Sequence, residues 1–287
     1  MCIHGAYCDA RIFNYLGKKI AERGLDVYAI DMLGHGRSTG PRGDPSFDDC
    51  LVSINEILKV IKNRKEMGRV MKTQDDDECS QSNIKIFILG HSLGCTFTLW
   101  YIHNFKHYVN GVILMAPYFR ISTVKKRSEV EPSTLYFFYL LLRRYLTPNK
   151  LVKFTDVIPN LIQTSRQEIS RLLQDPELNF WYSYRFIIDV IGLRNSKVND
   201  IADVKIPVLI LHGKKDKIVY YNVSEALFRL LNSKGRNFKL FDCDHWFYHA
   251  LFYDQTSSQY SEQLRQQIVD SIVDWVVRIN SSDNNSN

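Results

Sequence analysis

The residues with the clearest chemical meaning are five consecutive ones, Gly90-His91-Ser92-Leu93-Gly94. The apolar segment 84–89 ends directly before them, and a helical pattern begins at Cys95. A serine on such a tight strand-to-helix turn projects away from the backbone, and the flanking glycines keep other side chains out of its way. The start of the next helix supplies N–H groups and a partial positive charge where an oxyanion would form. The pattern predicts Ser92 as a nucleophile, with an N-capping serine in an ordinary βα turn as the alternative.

A serine hydroxyl becomes a nucleophile only beside a base, and that base needs a carboxylate to orient it. Two later strands each run into a loop with a suitable residue: Asp216 follows 208–211, and His245 follows 238–241. Because parallel strands deliver their C-terminal ends to one edge of a sheet, both residues can meet Ser92 there. Two alternatives stay open: Asp244 could compete for the ring of His245, and His249 could replace that ring as the base.

Short β-branched runs alternate with longer amphipathic segments along most of the chain. Strands buried on both faces are predicted at 27–30, 84–89, 112–114, 208–211 and 238–241. Helices are predicted at 13–23, 47–65, 95–104, 224–233 and 261–279. This alternation predicts an α/β fold, a mostly parallel sheet with helices on both faces. Residues 66–83 are predicted to form a solvated surface loop.

One long segment, 118–204, interrupts the alternation with helical and aromatic sequence where a single crossover helix would be enough. It predicts an inserted helical cap between two parts of a core, 1–117 and 205–280, followed by a disordered tail at 281–287. Two apolar stripes in the cap predict either the lining of a ligand tunnel or the cap's own core. They are Leu135–Leu142 with Tyr145, and Phe180-Trp181-Tyr182 with Tyr184 and Phe186.

The composition of this cap predicts an affinity for lipid surfaces. It combines the longest uninterrupted apolar run with 13 of the 36 aromatic residues and most of the excess positive charge. Lys125-Lys126-Arg127 precede the run and Arg143-Arg144 follow it. Interfacial helices bury an apolar face among headgroups while basic side chains stay with anionic lipid. The alternative is that the run packs on the core and the basic residues are merely solvated.

Overall composition argues against several classes of protein. The formal net charge of +6 is far from the dense basic fields of a nucleic-acid-binding protein. No apolar run approaches the roughly 20 residues of a membrane-spanning helix, and no secretory leader is predicted. The six cysteines lack a C-x-x-C pair, which favours thiols in a reducing compartment over disulfides. We therefore expect a cytoplasmic protein that attaches to membranes peripherally and binds no nucleic acid.

Taken together, these residues resemble the α/β-hydrolase family over nearly the whole chain. The resemblance is carried by His4-Gly5-Ala6, the turn Gly34–Ser38 after Asp31, Gly90–Gly94, Asp216 and His245. Within the family, the chain is most similar to the monoacylglycerol lipase and lysophospholipase branch. The H-G-A opening, the G-H-G-x-S turn, the step Gln174-Asp175-Pro176 and the spacing Gly213-x-x-Asp216 match that branch.

The resemblance implies a serine esterase that cleaves the ester of a single-chain lipid through an acyl-enzyme, without a cofactor or a metal. It implies Ser92 as nucleophile, Asp216 as orienting acid, His245 as base, Ala6 and Leu93 as oxyanion donors, and His35 as a structural loop residue. Alternatives on the same fold are an acyltransferase, a thioesterase and a non-catalytic ligand receptor.

One departure from the family concerns the N-terminus. Members usually carry two further strands before the H-G strand and insert the cap after the sixth strand, whereas only Met1-Cys2-Ile3 precede His4 here. The first two strands are therefore expected to be missing: either the sequence is a truncated reading, or the strand at 27–30 lies at an exposed edge of the sheet.

Overall fold

A six-stranded parallel sheet forms the centre of the described chain. The computed structural model describes residues 1–72, 84–105, 108–125, 133–153, 174–194, 197–243 and 262–284. Within these residues the sheet has the order β2-β1-β3-β4-β7-β8, and every neighbouring pair is parallel. Its strands are β1 (Cys2–Ile3), β2 (Ala29–Ile30), β3 (Ile86–His91), β4 (Val109–Met115), β7 (Val208–Gly213) and β8 (Asn237–Phe241).

All five predicted strands lie in this sheet, but two of them are not buried on both faces. β3, β4 and β7 occupy the middle and are almost entirely buried, as the near-continuous apolar sequence requires. β2 and β8 form the two edges, where Ala29 and Lys239 are exposed. The prediction of full burial is therefore wrong for the edge strands, because an edge strand has a neighbour on one side only. β2 does lie at an edge, as expected.

Helices pack beside the strands at close to their predicted positions. They are α1 (Asn14–Ala21), α2 (Phe47–Lys72), α3 (Leu93–Asn104), α6 (Tyr221–Leu230) and α7 (Glu262–Asn284), and the described helices of the cap are given below. Two predictions fail at their boundaries. Residues 66–72 continue α2 instead of starting a loop, and residues 281–284 continue α7 instead of a disordered tail. The rest of both predicted segments lies outside the described residues.

The cap segment contains more than helices. Its described elements include α4 (Thr134–Leu146) and an antiparallel pair of strands, β5 (Leu151–Lys153) and β6 (Trp181–Ser183). The short helix α5 (Tyr184–Phe186) continues into a π-helix over 187–194, and a 3-10 turn at 198–201 leads back towards the core. The cap segment follows β4, the strand that lies beside β3 in the sheet. It therefore lies in sequence between the strand that precedes Ser92 and the strand that precedes Asp216.

No helix in the described part of the chain is both long and apolar enough to cross a membrane. The five cysteines within the described ranges (2, 8, 50, 95 and 243) are all buried thiols.

Candidate active site

Ser92 occupies the turn between β3 and α3 in a conformation that non-glycine residues rarely adopt. Its φ of 49° and ψ of −114° lie in a region that typically costs a non-glycine residue about 1–3 kcal/mol. The backbone N–H donates to the carbonyl of Met115 at 2.8 Å, which fixes the turn to the neighbouring strand. The side chain makes no capping hydrogen bond to α3. Ser92 therefore occupies the N-cap position without a side-chain cap, and its hydroxyl is not used to start the helix.

Two glycines make this turn sterically possible. A Cβ on Gly94 would lie 2.3 Å from the carbonyl oxygen of Ile3, and one on Gly90 would lie 2.6 Å from Oγ1 of Thr98. Both distances are far below van der Waals contact, so neither position accepts a side chain. The two glycines of the G-x-S-x-G pattern are thus required because β1 and α3 pack closely against the turn.

The loop that begins with His4-Gly5-Ala6 lies directly against this turn. A Cβ on Gly5 would be 3.2 Å from Cβ of Ser92. The imidazole of His4 accepts the N–H of Met32 at Nε2 (3.0 Å) and, with Nδ1 protonated, donates to the carbonyl of Gly5 at 2.8 Å. Burial lowers the pKa of His4, which keeps the ring neutral in this arrangement.

This bond to Gly5 has a consequence for Ala6. The carbonyl of Gly5 and the N–H of Ala6 belong to one planar trans peptide group and point in opposite directions. When His4 fixes the carbonyl, it also fixes the N–H that the sequence predicts as an oxyanion donor. The other predicted donor, Leu93, is the first residue of α3 and comes directly after Ser92.

Asp216 lies on the loop after β7 and is 3% exposed. Its Oδ1 accepts the backbone N–H groups of Ile218 and Val219 at 2.9 and 2.8 Å. These two bonds hold the carboxylate in one orientation, which is what an orienting acid requires.

His212, the fifth residue of β7, also contacts this carboxylate, and sequence reasoning did not select it. Its Nε2 lies 3.0 Å from Oδ2 of Asp216 and 2.8 Å from the carbonyl of Val219. A carbonyl only accepts, so Nε2 carries the proton and Nδ1 accepts from the hydroxyl of Ser224 at 2.6 Å. His212 is thus a fully buried donor to Asp216. The four-residue spacing to Asp216 was the available signal, but a histidine within a strand reads as an ordinary core residue.

The predicted base lies outside the described residues, together with Asp244 and the alternative base His249. The loop that leads to it is described as far as Cys243. The N–H of Lys214 donates to the carbonyl of Phe241 at 2.8 Å, and the N–H of Lys215 donates to that of Cys243 at 2.9 Å. The chain that leads to His245 therefore starts against the loop that carries Asp216.

Comparison with known families decides what kind of protein has this arrangement. Residues 1–256 match the Hydrolase_4 family, described as serine aminopeptidase, S33. The chain belongs to this family. It is an α/β-hydrolase of the monoacylglycerol lipase branch, as the motifs predicted.

Individual relatives of this hydrolase are distant in sequence. A Schizosaccharomyces pombe protein named for monoglyceride lipase activity is 23% identical over 96% of this chain and 66% of its own length. The chain thus spans about two thirds of that relative. The monoacylglycerol lipase of Mycolicibacterium smegmatis is 21% identical over 96% of this chain and 86% of its own. The crystal structure of Paleococcus ferrophilus monoacylglycerol lipase has the same fold, with a TM-score of 0.70 and 22% identity over 97% of this chain and 93% of that one.

The two apolar stripes of the hydrolase's cap have different environments. Phe180, Tyr182, Tyr184 and Phe186 of the first stripe are buried, whereas Trp181 is half-exposed. Phe180 stacks on Tyr7 of the loop after His4 with the ring centroids 5.6 Å apart. The stripe on α4 is divided between two faces: Leu140 is buried and Phe137 and Leu141 pack against the core, while Leu135 is 82% exposed. Most of the first stripe therefore packs beside the His4–Ala6 loop and half of the second faces solvent, a difference that sequence periodicity alone did not resolve.

Proposed function

We propose that this α/β-hydrolase is a serine esterase that cleaves the ester of a single-chain lipid, a monoacylglycerol or a lysophospholipid, through an acyl-enzyme. The observation that carries the proposal is Ser92, held at a strained turn with its hydroxyl uninvolved in helix capping and the His4–Ala6 loop against it. The names of the relatives support the choice of lipid esters. The aromatic residues buried in the cap beside Tyr7 suit an apolar acyl chain.

In the proposed reaction, the Oγ of Ser92 attacks the ester carbonyl carbon while its proton passes to His245. The carbonyl oxygen becomes an oxyanion that accepts the N–H groups of Ala6 and Leu93. When the tetrahedral intermediate collapses, the bond to the alcohol oxygen breaks and His245 returns the proton to that alcohol. Water then attacks the acyl-serine by the same steps in the second half of the reaction. Asp216 compensates the positive charge of His245 in both halves.

The turnover of a small substrate panel tests this proposal. The full chain is offered a monoacylglycerol, a lysophospholipid and an acyl thioester, each with and without an acceptor alcohol, and is then labelled with a fluorophosphonate probe. We expect free fatty acid from one of the two lipid esters and covalent capture of the probe. Dominant transfer to the alcohol or faster cleavage of the thioester would instead identify an acyltransferase or a thioesterase. Absence of both turnover and capture would leave only a non-catalytic receptor.

We further propose that the exposed face of α4 docks the enzyme on lipid surfaces. The face consists of large apolar side chains at helical spacing, with Leu135 and Tyr145 more than four-fifths exposed. Its other members are Phe138, Tyr139, Leu142 and Leu146. Aromatic and aliphatic residues on one helix face are typical of interfacial helices, and a lipid surface is where the proposed substrate resides. The run packs on the core through Leu140, Phe137 and Leu141, and the opposite face of the helix remains available for docking.

The basic residues after the apolar run contribute less to this docking than the sequence suggested. Arg144 forms an ion pair with Asp189 at 2.6 Å, and the guanidinium of Arg143 lies 5.2 Å from the ring centroid of Tyr184. Both are thus engaged within the cap. We therefore assign the docking energy mainly to apolar burial, which is insensitive to salt compared with charge attraction.

Substitution of the two most exposed residues tests the docking proposal. The double variant Leu135→Ser/Tyr145→Ser should lower partitioning onto neutral phosphatidylcholine vesicles by about tenfold or more, since each side chain buries apolar area worth roughly 1–2 kcal/mol. Turnover of a short soluble ester should stay unchanged, because the side chains of Leu135 and Tyr145 are both more than four-fifths exposed to solvent. Val60→Ser on α2, a half-exposed apolar residue on another helix, is the matched control. Equal partitioning of the double variant and the control would exclude α4 as the docking face.

A further inference from the structure

The part of the cap around β6 is fastened to the core by several polar contacts. Arg11 of the loop after β1 pairs with Asp175 at 2.9 Å and Glu177 at 3.3 Å. The N–H of Ser183 donates to the carbonyl of Gly43 at 2.9 Å, and Arg185 pairs with Asp44 at 2.8 Å. Contacts on both sides of β6 thus hold this part of the cap against two different loops of the core.

Between these contacts, the cap's Tyr182 reaches the loop that follows His4. The backbone N–H of Tyr7 donates to the phenolic oxygen of Tyr182 at 2.6 Å. This phenol is 3.0 Å from Nε2 of His35, whose Nδ1 lies 3.0 Å from the carbonyl of Leu33. Tyr182 is 1% exposed, so these bonds form away from solvent.

The proton positions in this chain of bonds follow from the acceptors. The carbonyl of Leu33 only accepts, so Nδ1 of His35 is protonated. Burial lowers the pKa of His35 to about 3, and the neutral ring therefore has a lone pair on Nε2. The phenol of Tyr182 donates to that lone pair and accepts from Tyr7. The donor and the acceptor of each of these hydrogen bonds are thus defined, and core residues fix the direction in which the phenol of Tyr182 points.

The residue held by this phenol is itself in an unfavourable conformation. Tyr7 has a φ of 48°, which costs a non-glycine residue free energy that its surroundings must offset. Its N–H belongs to the peptide that follows Ala6, and the peptide that precedes Ala6 is the one fixed by His4. Ala6 is therefore held on one side by the core and on the other side by the cap.

We propose that Tyr182 is a positioning residue for the oxyanion hole, through which the docked cap holds the peptide after Ala6 in its productive orientation. The inference rests on the proposed function, because it assigns Tyr182 to the reaction of Ser92. It implies that the cap shapes the transition-state site as well as the substrate pocket. A change in this bond should then affect stabilisation of the oxyanion more than binding of the uncharged substrate.

Tyr182→Phe is the variant that tests this role, because it removes the hydroxyl and keeps the ring that stacks on Phe186 at 5.1 Å. We expect kcat for ester hydrolysis to fall about tenfold or more, as for loss of one buried hydrogen bond at an oxyanion site, with KM nearly unchanged. An alkylboronic acid, which forms a tetrahedral anion on the serine, should lose affinity by a similar factor. A non-hydrolysable ether analogue of the substrate should bind as before.

The matched control is Tyr15→Phe, which removes a hydroxyl that donates to Glu262 at 2.6 Å between α1 and α7. It should leave kcat and boronic acid affinity unchanged. If Tyr182→Phe keeps both values within about twofold of the wild type, or if the ether analogue loses affinity equally, the positioning role is wrong. If Tyr182→Phe fails to fold, His35→Leu is used instead, because it removes the acceptor of the phenol. The positioning role is then wrong if His35→Leu keeps kcat and boronic acid affinity near the wild type, or if the ether analogue loses affinity equally. A wild-type enzyme without esterase activity or probe capture would instead refute the proposed function itself.

Discussion

Ser92→Ala is expected to abolish ester hydrolysis and fluorophosphonate capture while leaving the fold intact. Nucleophile, base and acid act as a unit, so loss of the nucleophile lowers kcat by a factor on the order of 10⁵. The fold should survive because the hydroxyl of Ser92 makes no capping bond to α3. The measurements are fatty acid release, in-gel labelling and the far-UV circular dichroism spectrum. Residual turnover above a few per cent would refute the assignment.

The backbone at position 92 provides a second variant that separates function from stability. Ser92→Gly should be as inactive as Ser92→Ala, but it removes the side chain that makes a φ of 49° unfavourable. We expect the glycine variant to be more stable than the alanine variant by about 1 kcal/mol, once the greater freedom of glycine in the unfolded state is subtracted. Thermal unfolding of the two variants measures this difference. Equal stability would mean that the turn carries no strain.

The placement of Ser92 and Asp216 could be predicted because the decisive signals are local. A buried strand, a small turn and a helix follow one another within about twenty residues at Ser92, and a strand leads directly into the loop of Asp216. Parallel pairing then places both residues at one edge of the sheet. The glycines of the motif were predicted to keep other side chains away from Ser92, whereas the structure shows that β1 and α3 pack where a Cβ would stand.

The contacts that tune the site could not be predicted, because they depend on how different elements of the fold pack together. Tyr7 and Tyr182 are 175 residues apart, and His212 is held by Ser224 from a different element. Nothing in the local sequence distinguishes these side chains from ordinary core residues. The same holds for the two cap stripes, whose burial depends on which surface lies opposite each of them.

Errors at the ends of helices have a simpler cause. Residues 66–72 lack the apolar periodicity of the preceding turns, so the helix was predicted to end before them. Five of these seven residues are Glu, Met, Arg or Lys, which favour helix, and α2 continues through Gly68 and Val70 to Lys72. The intrinsic helix propensity of these residues thus extends α2 beyond the turns whose apolar side chains pack in the core. α7 likewise continues past its last predicted residue to Asn284, although Ser and Asn there are weaker helix formers.

Asp216→Asn should be far more damaging to hydrolysis than Asp244→Asn, with a fall in kcat on the order of 10³- to 10⁴-fold. The carboxylate of Asp216 accepts on both oxygens, from two backbone N–H groups at Oδ1 and from Nε2–H of His212 at Oδ2. An asparagine that keeps the backbone bonds directs its NH₂ group at the N–H of His212, so two donors face each other. The side chain must then turn or shift, and the charge that stabilises a protonated His245 is lost as well.

The comparison with neighbouring carboxylates makes this prediction specific to Asp216. Asp242→Asn is a matched control, because this residue lies on the adjacent loop and forms an exposed ion pair with Lys215, worth at most about 1 kcal/mol. It should leave kcat within about twofold of the wild type. The rate constants of all three variants are measured with one soluble ester, and their unfolding midpoints show that each is folded. If Asp244→Asn loses more activity than Asp216→Asn, Asp244 orients the base, and the buried carboxylate with its histidine has a structural role instead.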